Sequence, residues 1–472
     1  MSTQIFPSTS AGRAAHELVK AINSGKKELQ RLFLDTRLSE AGKRERPLDE
    51  SASLLQKAFE QSGGIIIDKV ERSEPNPFVF YARSMRGNHW TRVFLFMDKI
   101  EEGKIREFGF LPIRAYAEDK ETLWPEKRLT DDLAKREIER HVFWLAKRDI
   151  FSGVVLVAHG YTRFNTLVGV AVGNAEKSFE SPNRIDTKFN IGSINKMFTS
   201  VSIAQLIEKG AISLQDKLGD LIPGYPNGEA SRSVTVYHLL SHQAGLGGLF
   251  ERPKYDNRKK YQTNMELLSI FADQLLLYEP GTRSMYSNEG YIVLGSIVEE
   301  VTGEDYHDYV RKNILQPADM QNTGPYALDE HVPNLAVGYL QAADDPFGLD
   351  PRRPNHMFLG WRGNACGGGY STGPDLVKFA NALKTHKLVG SKLTDEFTRQ
   401  QGGMKNYGLG FEVEEFNGKR VVGHTGGGPN SGVNCALKTF WDSQETVVVV
   451  GNYDAPVAQD LATDIVKFLS NP

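Results

Sequence analysis

Glycine is spread so unevenly along this chain that two folding regimes are needed to describe it. Of 45 glycines, 8 fall in residues 1–150 and 37 in residues 151–472. Charge runs the other way, with 51 charged residues in the first 150 and 64 in the remaining 322. The later, glycine-rich regime implies tight turns and close backbone approach. A length of 472 residues suits two or three domains.

Composition removes several classes of protein. Hydrophobic residues make up 40% of the chain, enough for a large core, which excludes disorder and collagen-like repeats. A net charge of −3 lacks the basic excess of a nucleic-acid-binding surface. No apolar run reaches about 18 residues, so no transmembrane helix is expected. The opening MSTQIFPSTSAGRAAHELVK lacks the apolar core of a secretion signal. It reads as cytoplasmic as written, and as periplasmic or secreted if a leader has been removed. Two cysteines, Cys366 and Cys435, rule out a disulfide framework or a four-cysteine zinc site. They read as buried thiols, with a reactive Cys366 as the alternative.

Periodicity outlines the organisation. Residues 12–34 carry apolar residues at helical spacing with a Ser-Gly break at 24–25, and residues 50–61 predict a second helix. IIIDKV, FVFYARS, WTRVFLFMD and KIREFGFLPI then predict four strands, the last two joined across Glu101-Glu102-Gly103. Residues 1–115 therefore read as a small α+β helper or dimerisation domain, which resembles the nuclear-transport-factor-2-like fold. Residues 116–130, polar with Pro125, read as a linker. Residues 131–472 open with the helix DDLAKREIERHVFWLAKR and the strand GVVLVAH, and close with VVVVGNY and a helix over 460–469. That arrangement implies one sheet built from both ends, with a mostly helical middle over about 190–400.

One stretch joins the groups that acyl transfer needs. Ser193 precedes a buried helix, with Lys196 one turn on. A nucleophile, a proton acceptor and free backbone N–H groups thus meet at a helix start. The bare Ser-x-x-Lys pattern is weak, because Ser24/Lys27 matches it too. A serine helix cap beside a surface lysine remains an open reading of the pattern alone. Two later segments add to it: Tyr286-Ser287-Asn288, after Glu279-Pro280-Gly281-Thr282, and His424-Thr425-Gly426-Gly427, after KRVVG.

In this order the three segments resemble the serine β-lactamase and penicillin-binding-protein superfamily, nearest its class C β-lactamase, carboxypeptidase, D-aminopeptidase and esterase branch. VTVYHLLSHQAGL (234–246), EPGTRSMYSNEGYIVLGSIVEEVTG (279–303), GGGYSTGPDLVKFANAL (367–383) and YGLGFEV (407–413) extend the likeness over about 130–472. The resemblance implies an α/β (α+β) fold, an antiparallel sheet flanked by helices with an all-helical subdomain. It implies a serine hydrolase with an acyl-enzyme on Ser193. Lys196 or Tyr286 would be the base, Asn288, His424 and Thr425 would bind substrate, and the backbone of Gly427 would help hold the oxyanion. No cofactor and no metal are implied. His424 departs from the lysine usual in class C β-lactamases. A histidine is mostly neutral near pH 7, so an esterase or amidase is favoured over efficient β-lactam hydrolysis. A β-lactam-reactive receptor and a catalytically inactive binding protein are the alternatives. Expected partners are a small-molecule or peptide substrate and a second copy of the chain through the N-terminal domain.

Three other patterns carry weaker signals. Gly369-Tyr370-Ser371-Thr372-Gly373 has the Gly-x-Ser-x-Gly spacing of a nucleophile elbow, but NACGG before it is a poor strand. Ser371 reads as a turn or cap residue. His238-x-x-x-His242 has zinc-ligand spacing without the HExxH glutamate, and His242 reads as bonding the turn before Gly245. Gly426-Gly427-Gly428 lacks the lysine of a phosphate loop. The basic stretch RPKYDNRKKYQ (252–262) reads as a solvated charge run, or as a feature favouring anionic substrates. The glycines at 367–369 and 426–428 read as walls of a substrate cleft.

Overall fold

The computed structural model describes residues 6–472, apart from 75, 88, 114–122, 128, 161–164, 250–257, 343 and 429. The chain divides into two compact units, Met1–Thr122 with Gln341–Arg353, and Leu123–Leu340 with Pro354–Pro472.

The first unit runs α1 (Ser10–Ser24), α2 (Lys27–Arg37), α3 (Glu40–Glu45) and α4 (Leu48–Ser62), then β1 (Ile65–Arg72), β2 (Phe78–Ser84), β3 (Trp90–Met97) and β4 (Ile105–Ile113). The Ser-Gly break ends α1: Gly25 takes φ +61° and donates its N–H to the Ile22 carbonyl at 3.1 Å. Helix α3 lies outside the predicted pattern. It has six residues, too few for a period to show, and Ser39 caps it by accepting the Gly42 N–H. The strands form an antiparallel meander in the order β1-β2-β3-β4. In β3 every second residue, Thr91, Val93, Leu95 and Met97, is buried, as expected of a sheet with one covered face.

A segment remote in sequence completes this unit. Phe347 is 3% exposed and packs into the core made by Leu18, Leu55, Phe78 and Phe80. Around it Gln61 Nε2 donates to Asp345 Oδ1 at 2.7 Å, and Lys57 pairs with Asp350 at 2.6 Å. Phe347→Ala is expected to cost the first unit about 3–5 kcal/mol, the usual loss for a buried phenylalanine. Urea unfolding followed by fluorescence and circular dichroism reads this, and an unchanged midpoint contradicts it.

The second unit opens with α5 (Asp131–Lys147), β5 (Gly153–His159) and β6 (Asn165–Val172). Its middle carries α6 (Asn195–Glu208), α7 (Asn288–Thr302) and α8 (Gly373–Lys384) among shorter helices. It ends with β7 (Glu412–Phe416), β8 (Lys419–Gly428), β9 (Val433–Phe440), β10 (Glu445–Gly451) and α9 (Val457–Ser470). The six strands form one antiparallel sheet, β7-β8-β9-β10-β5-β6, so the two ends of the segment share it. Both faces are covered. Val155, Val157, Val447 and Val449 pack with Ile138 of α5 and Leu461 and Ile465 of α9. Val154, Leu156, Val448 and Val450 pack in the core that holds Phe198 of α6 and Phe379 of α8. Burial on both sides is why these strands read as unbroken apolar runs. Of the stretch read as a linker, 116–122 lies outside the described residues. Trp124 itself is held, its ring stacked on His141 at 3.8 Å.

Candidate active site

Helix α6 explains how the site is anchored. Every residue from Asn195 to Leu206 is buried, so the helix is a core element without a solvent face. A 3-10 turn, Gly192–Ile194, leads into it and carries Ser193. Lys196 follows one turn later and is fully buried. Its Nζ donates to Ser193 Oγ at 3.2 Å, Asn288 Oδ1 at 2.7 Å and the Cys366 carbonyl at 2.6 Å. Three acceptors match the three protons of an ammonium. Burial nevertheless lowers the Lys196 pKa to about 8, because a charged amine is penalised away from water.

Tyr286 closes the cluster from above. Its hydroxyl hydrogen-bonds Ser193, and burial of that end raises its pKa, although the residue is 40% exposed. The Lys196 ammonium lies 4.8 Å from the ring centroid. Ser287 caps α7 by accepting the Gly290 N–H, which sets Asn288 at the first turn. His242, with φ +59°, accepts the Ser287 N–H on Nδ1 at 3.1 Å. Its ring centroid lies 4.5 Å from that of Tyr286 and 4.9 Å from that of Tyr407. His242 therefore braces the tyrosine loop through Ser287. His238 accepts the Thr235 N–H inside a helix cap.

Strand β8 brings the third segment. A Cβ on Gly192 would sit 2.5 Å from the Gly427 nitrogen, and one on Gly426 would sit 2.1 Å from the Ile191 carbonyl oxygen and 3.3 Å from the Ser193 nitrogen. The Ser193 and Gly427 amides therefore lie at one close backbone crossing. Gly427 itself, with φ +93°, would drive a Cβ to within 1.8 Å of the Val433 carbonyl oxygen. At Gly426 and Gly427 glycine is required by main-chain contact, a reason that the reading of 367–369 and 426–428 as cleft walls did not include. Gly369 likewise abuts Asn195, and among these six only Gly428 has no atom within 4 Å of its Cβ position.

His424 is buried, with Nδ1 2.6 Å from the Thr425 carbonyl and Nε2 3.0 Å from the Tyr407 hydroxyl. A carbonyl can only accept, so Nδ1 carries the proton and Nε2 accepts from Tyr407. Burial lowers the His424 pKa, opposed by Glu412. Glu412 accepts the Thr425 N–H at 3.0 Å and the Thr425 hydroxyl at 2.5 Å. Glu412 and Tyr407 lie in YGLGFEV, yet nothing in their spacing singles them out. The Cys366 carbonyl is a backbone group and leaves no side-chain signal at all.

The other patterns resolve locally. Ser371 Oγ is buried and shares a hydrogen bond with Thr323 Oγ1 at 2.7 Å, while Thr372 caps α8. Both cysteines are free and buried. Residues 252–257 of the basic stretch lie outside the described residues, and Lys259 beyond them pairs with Asp329 at 3.0 Å. Among the described residues, no helix is long and apolar enough to cross a membrane.

An antiparallel sheet with a serine, lysine and tyrosine gathered beside its strand β8 defines a class of active-site serine hydrolases. The chain belongs to the Beta-lactamase family, whose model matches residues 130–467. It is 28% identical over 326 residues to a penicillin-binding protein of Bacillus subtilis (strain 168), covering 65% of this chain and 69% of that protein. It is 27% identical over 267 residues to the teichoic acid D-alanine hydrolase of Staphylococcus aureus (strain NCTC 8325 / PS 47), covering 56% of this chain and 62% of that protein. The crystal structure of a penicillin-binding protein from Bacillus halodurans superposes with a TM-score of 0.61 at 28% identity, over 69% of this chain and 98% of that one.

Proposed function

We propose that this enzyme hydrolyses esters or amides through an acyl-enzyme on Ser193, with Lys196 as the base that activates it. The observation that carries this reading is the buried Lys196 amine, 3.2 Å from Ser193 Oγ and with a pKa brought down to about 8. A base whose pKa lies near the working pH combines an available lone pair with driving force. Tyr286 is the less available base, because burial moves its pKa up and keeps the phenol protonated. Ser193 Oγ forms a bond to the carbonyl carbon as its proton passes to neutral Lys196. The oxyanion is held by the N–H groups of Ser193 and Gly427. Collapse breaks the bond to the leaving group, which takes the proton from Lys196 through the Tyr286 hydroxyl. Water then attacks the acyl-enzyme, releases the acid and restores Ser193.

Esters and amides of D-amino acids are the substrates to try first, given the likeness to a D-alanine hydrolase. β-Lactams rank below them, because the neutral, internally bonded His424 offers their carboxylate no cation. A panel of p-nitrophenyl esters, D-amino-acid amides and a labelled penicillin, followed by intact mass spectrometry, tests this. The expected result is turnover of esters or amides with a transient adduct on Ser193. A stable penicillin adduct without turnover of any substrate points to a receptor instead, and no labelling of folded protein by all three points to a binding protein.

A further inference from the structure

Close to Ser193, strand β8 holds a carboxylate against its Thr425. Glu412 on β7 pairs across the sheet with Gly423. Its carboxylate takes both donors of Thr425, the N–H at 3.0 Å and the hydroxyl at 2.5 Å. Its side chain stays 24% exposed, and it lies 3.7 Å from His424 Nδ1. Thr425 is the residue before Gly426, whose Cβ position is 3.3 Å from the Ser193 nitrogen. The carboxylate also acts electrostatically on the Tyr286 hydroxyl, so its field reaches the reacting groups.

The neighbouring cations are committed elsewhere. Lys196 is enclosed by Ser193, Asn288 and the Cys366 carbonyl and has no hydrogen-bonding position left for a further anion. Lys438 is paired with Glu414, and its charge, which also reaches Glu412, helps keep that carboxylate ionised. His424 is neutral, with its one N–H on the Thr425 carbonyl. A leaving group bearing a carboxylate would thus meet a hydroxyl already donated to Glu412 and a like charge behind it.

We propose that Glu412 is a specificity-determining residue that turns the Thr425 end of the cleft against carboxylate-bearing leaving groups and confines the enzyme to acyl donors whose leaving group is neutral or cationic. This rests on the acyl-transfer role given above to Ser193. It separates two classes that share one chemistry: peptide and β-lactam substrates that present a carboxylate beside the scissile bond, and esters or amides that do not. A structural role for Glu412, holding Thr425 in place, would change the rates on both classes together. A charge role changes their ratio.

The test uses two esters of N-acetyl-D-alanine that differ only in the leaving group, glycolate in one and glycolamide in the other. Their kcat/KM values are measured side by side on the full chain, for the wild type, E412Q and E412D. The ratio is independent of the fraction of each preparation that is folded. The wild type is expected to favour the glycolamide ester by about tenfold or more, the scale of a like-charge contact. E412Q is expected to shrink that preference by about tenfold, while E412D, which keeps the charge, retains it. A wild type without preference, or a ratio unmoved in E412Q, overturns the proposal. If neither ester is cleaved in a Ser193-dependent way, the acyl-transfer reading itself falls, and with it the role given to Glu412.

Discussion

Ser193→Ala is expected to lower ester turnover by at least about four orders of magnitude and to abolish acyl-enzyme formation. In the proposed mechanism the serine forms the covalent bond, and splitting one hard step into two easier ones is the origin of most of the rate. What remains in the variant is binding and two backbone amide donors, that of position 193 and that of Gly427, which act on a substrate without a nucleophile. The fold should survive, because Ser193 is half-buried in a 3-10 turn and its hydroxyl caps no helix. The measurement is kcat/KM on a p-nitrophenyl ester together with intact mass after quenching. Wild-type turnover in the alanine variant would falsify the mechanism and move the chemistry to another residue.

Lys196→Met carries the second large effect, an expected loss of about three to four orders of magnitude in kcat/KM from removing the base and its proton transfer. In the wild type, kcat/KM should rise with pH through a limb near 8, because only the neutral amine accepts the serine proton and burial has brought its pKa to about 8. A limb governed by Tyr286 would lie above 10, since burial raises that group. The same shift has a signature in stability. A lysine whose folded pKa is lowered is penalised while both states are charged, below about 8. The penalty is relieved as the native amine loses its proton while the unfolded one keeps it. The unfolding free energy of the wild type relative to K196M should therefore rise between pH 8 and pH 10.5, by about 3 kcal/mol. Urea titrations of both proteins across that window read the difference directly. A flat difference means that Lys196 titrates normally and cannot serve as the base.

The Lys196 amine shows how far spacing reaches. Ser193 and Lys196 share a helical turn, so their proximity follows from one period. That Asn288 supplies a second acceptor at 2.7 Å depends on α7, 92 residues away, starting where Ser287 caps it. The third acceptor is a backbone carbonyl at Cys366, and no residue type encodes a carbonyl. His242 follows the same logic. Its spacing from His238 invited a metal or a local turn, whereas its partner is the Ser287 N–H, 45 residues on.

By itself the amino-acid sequence determined the two regimes, the four-strand meander, the shared sheet of the second unit and the pairing of Ser193 with Lys196. Each of these rests on local periodicity or on a short motif. Only the tertiary structure decided three other matters. Phe347 belongs to the core of the first unit, although it is separated from it by more than 200 residues. The glycines beside Ser193 are demanded by main-chain crossings, because a Cβ there would strike another backbone. Glu412 stands behind Thr425 and takes both its N–H and its hydroxyl. The physical reason is common to all three: contacts between distant segments depend on how close two backbones come. That distance is set by packing the whole sheet and its helices, so no pattern along the chain records it.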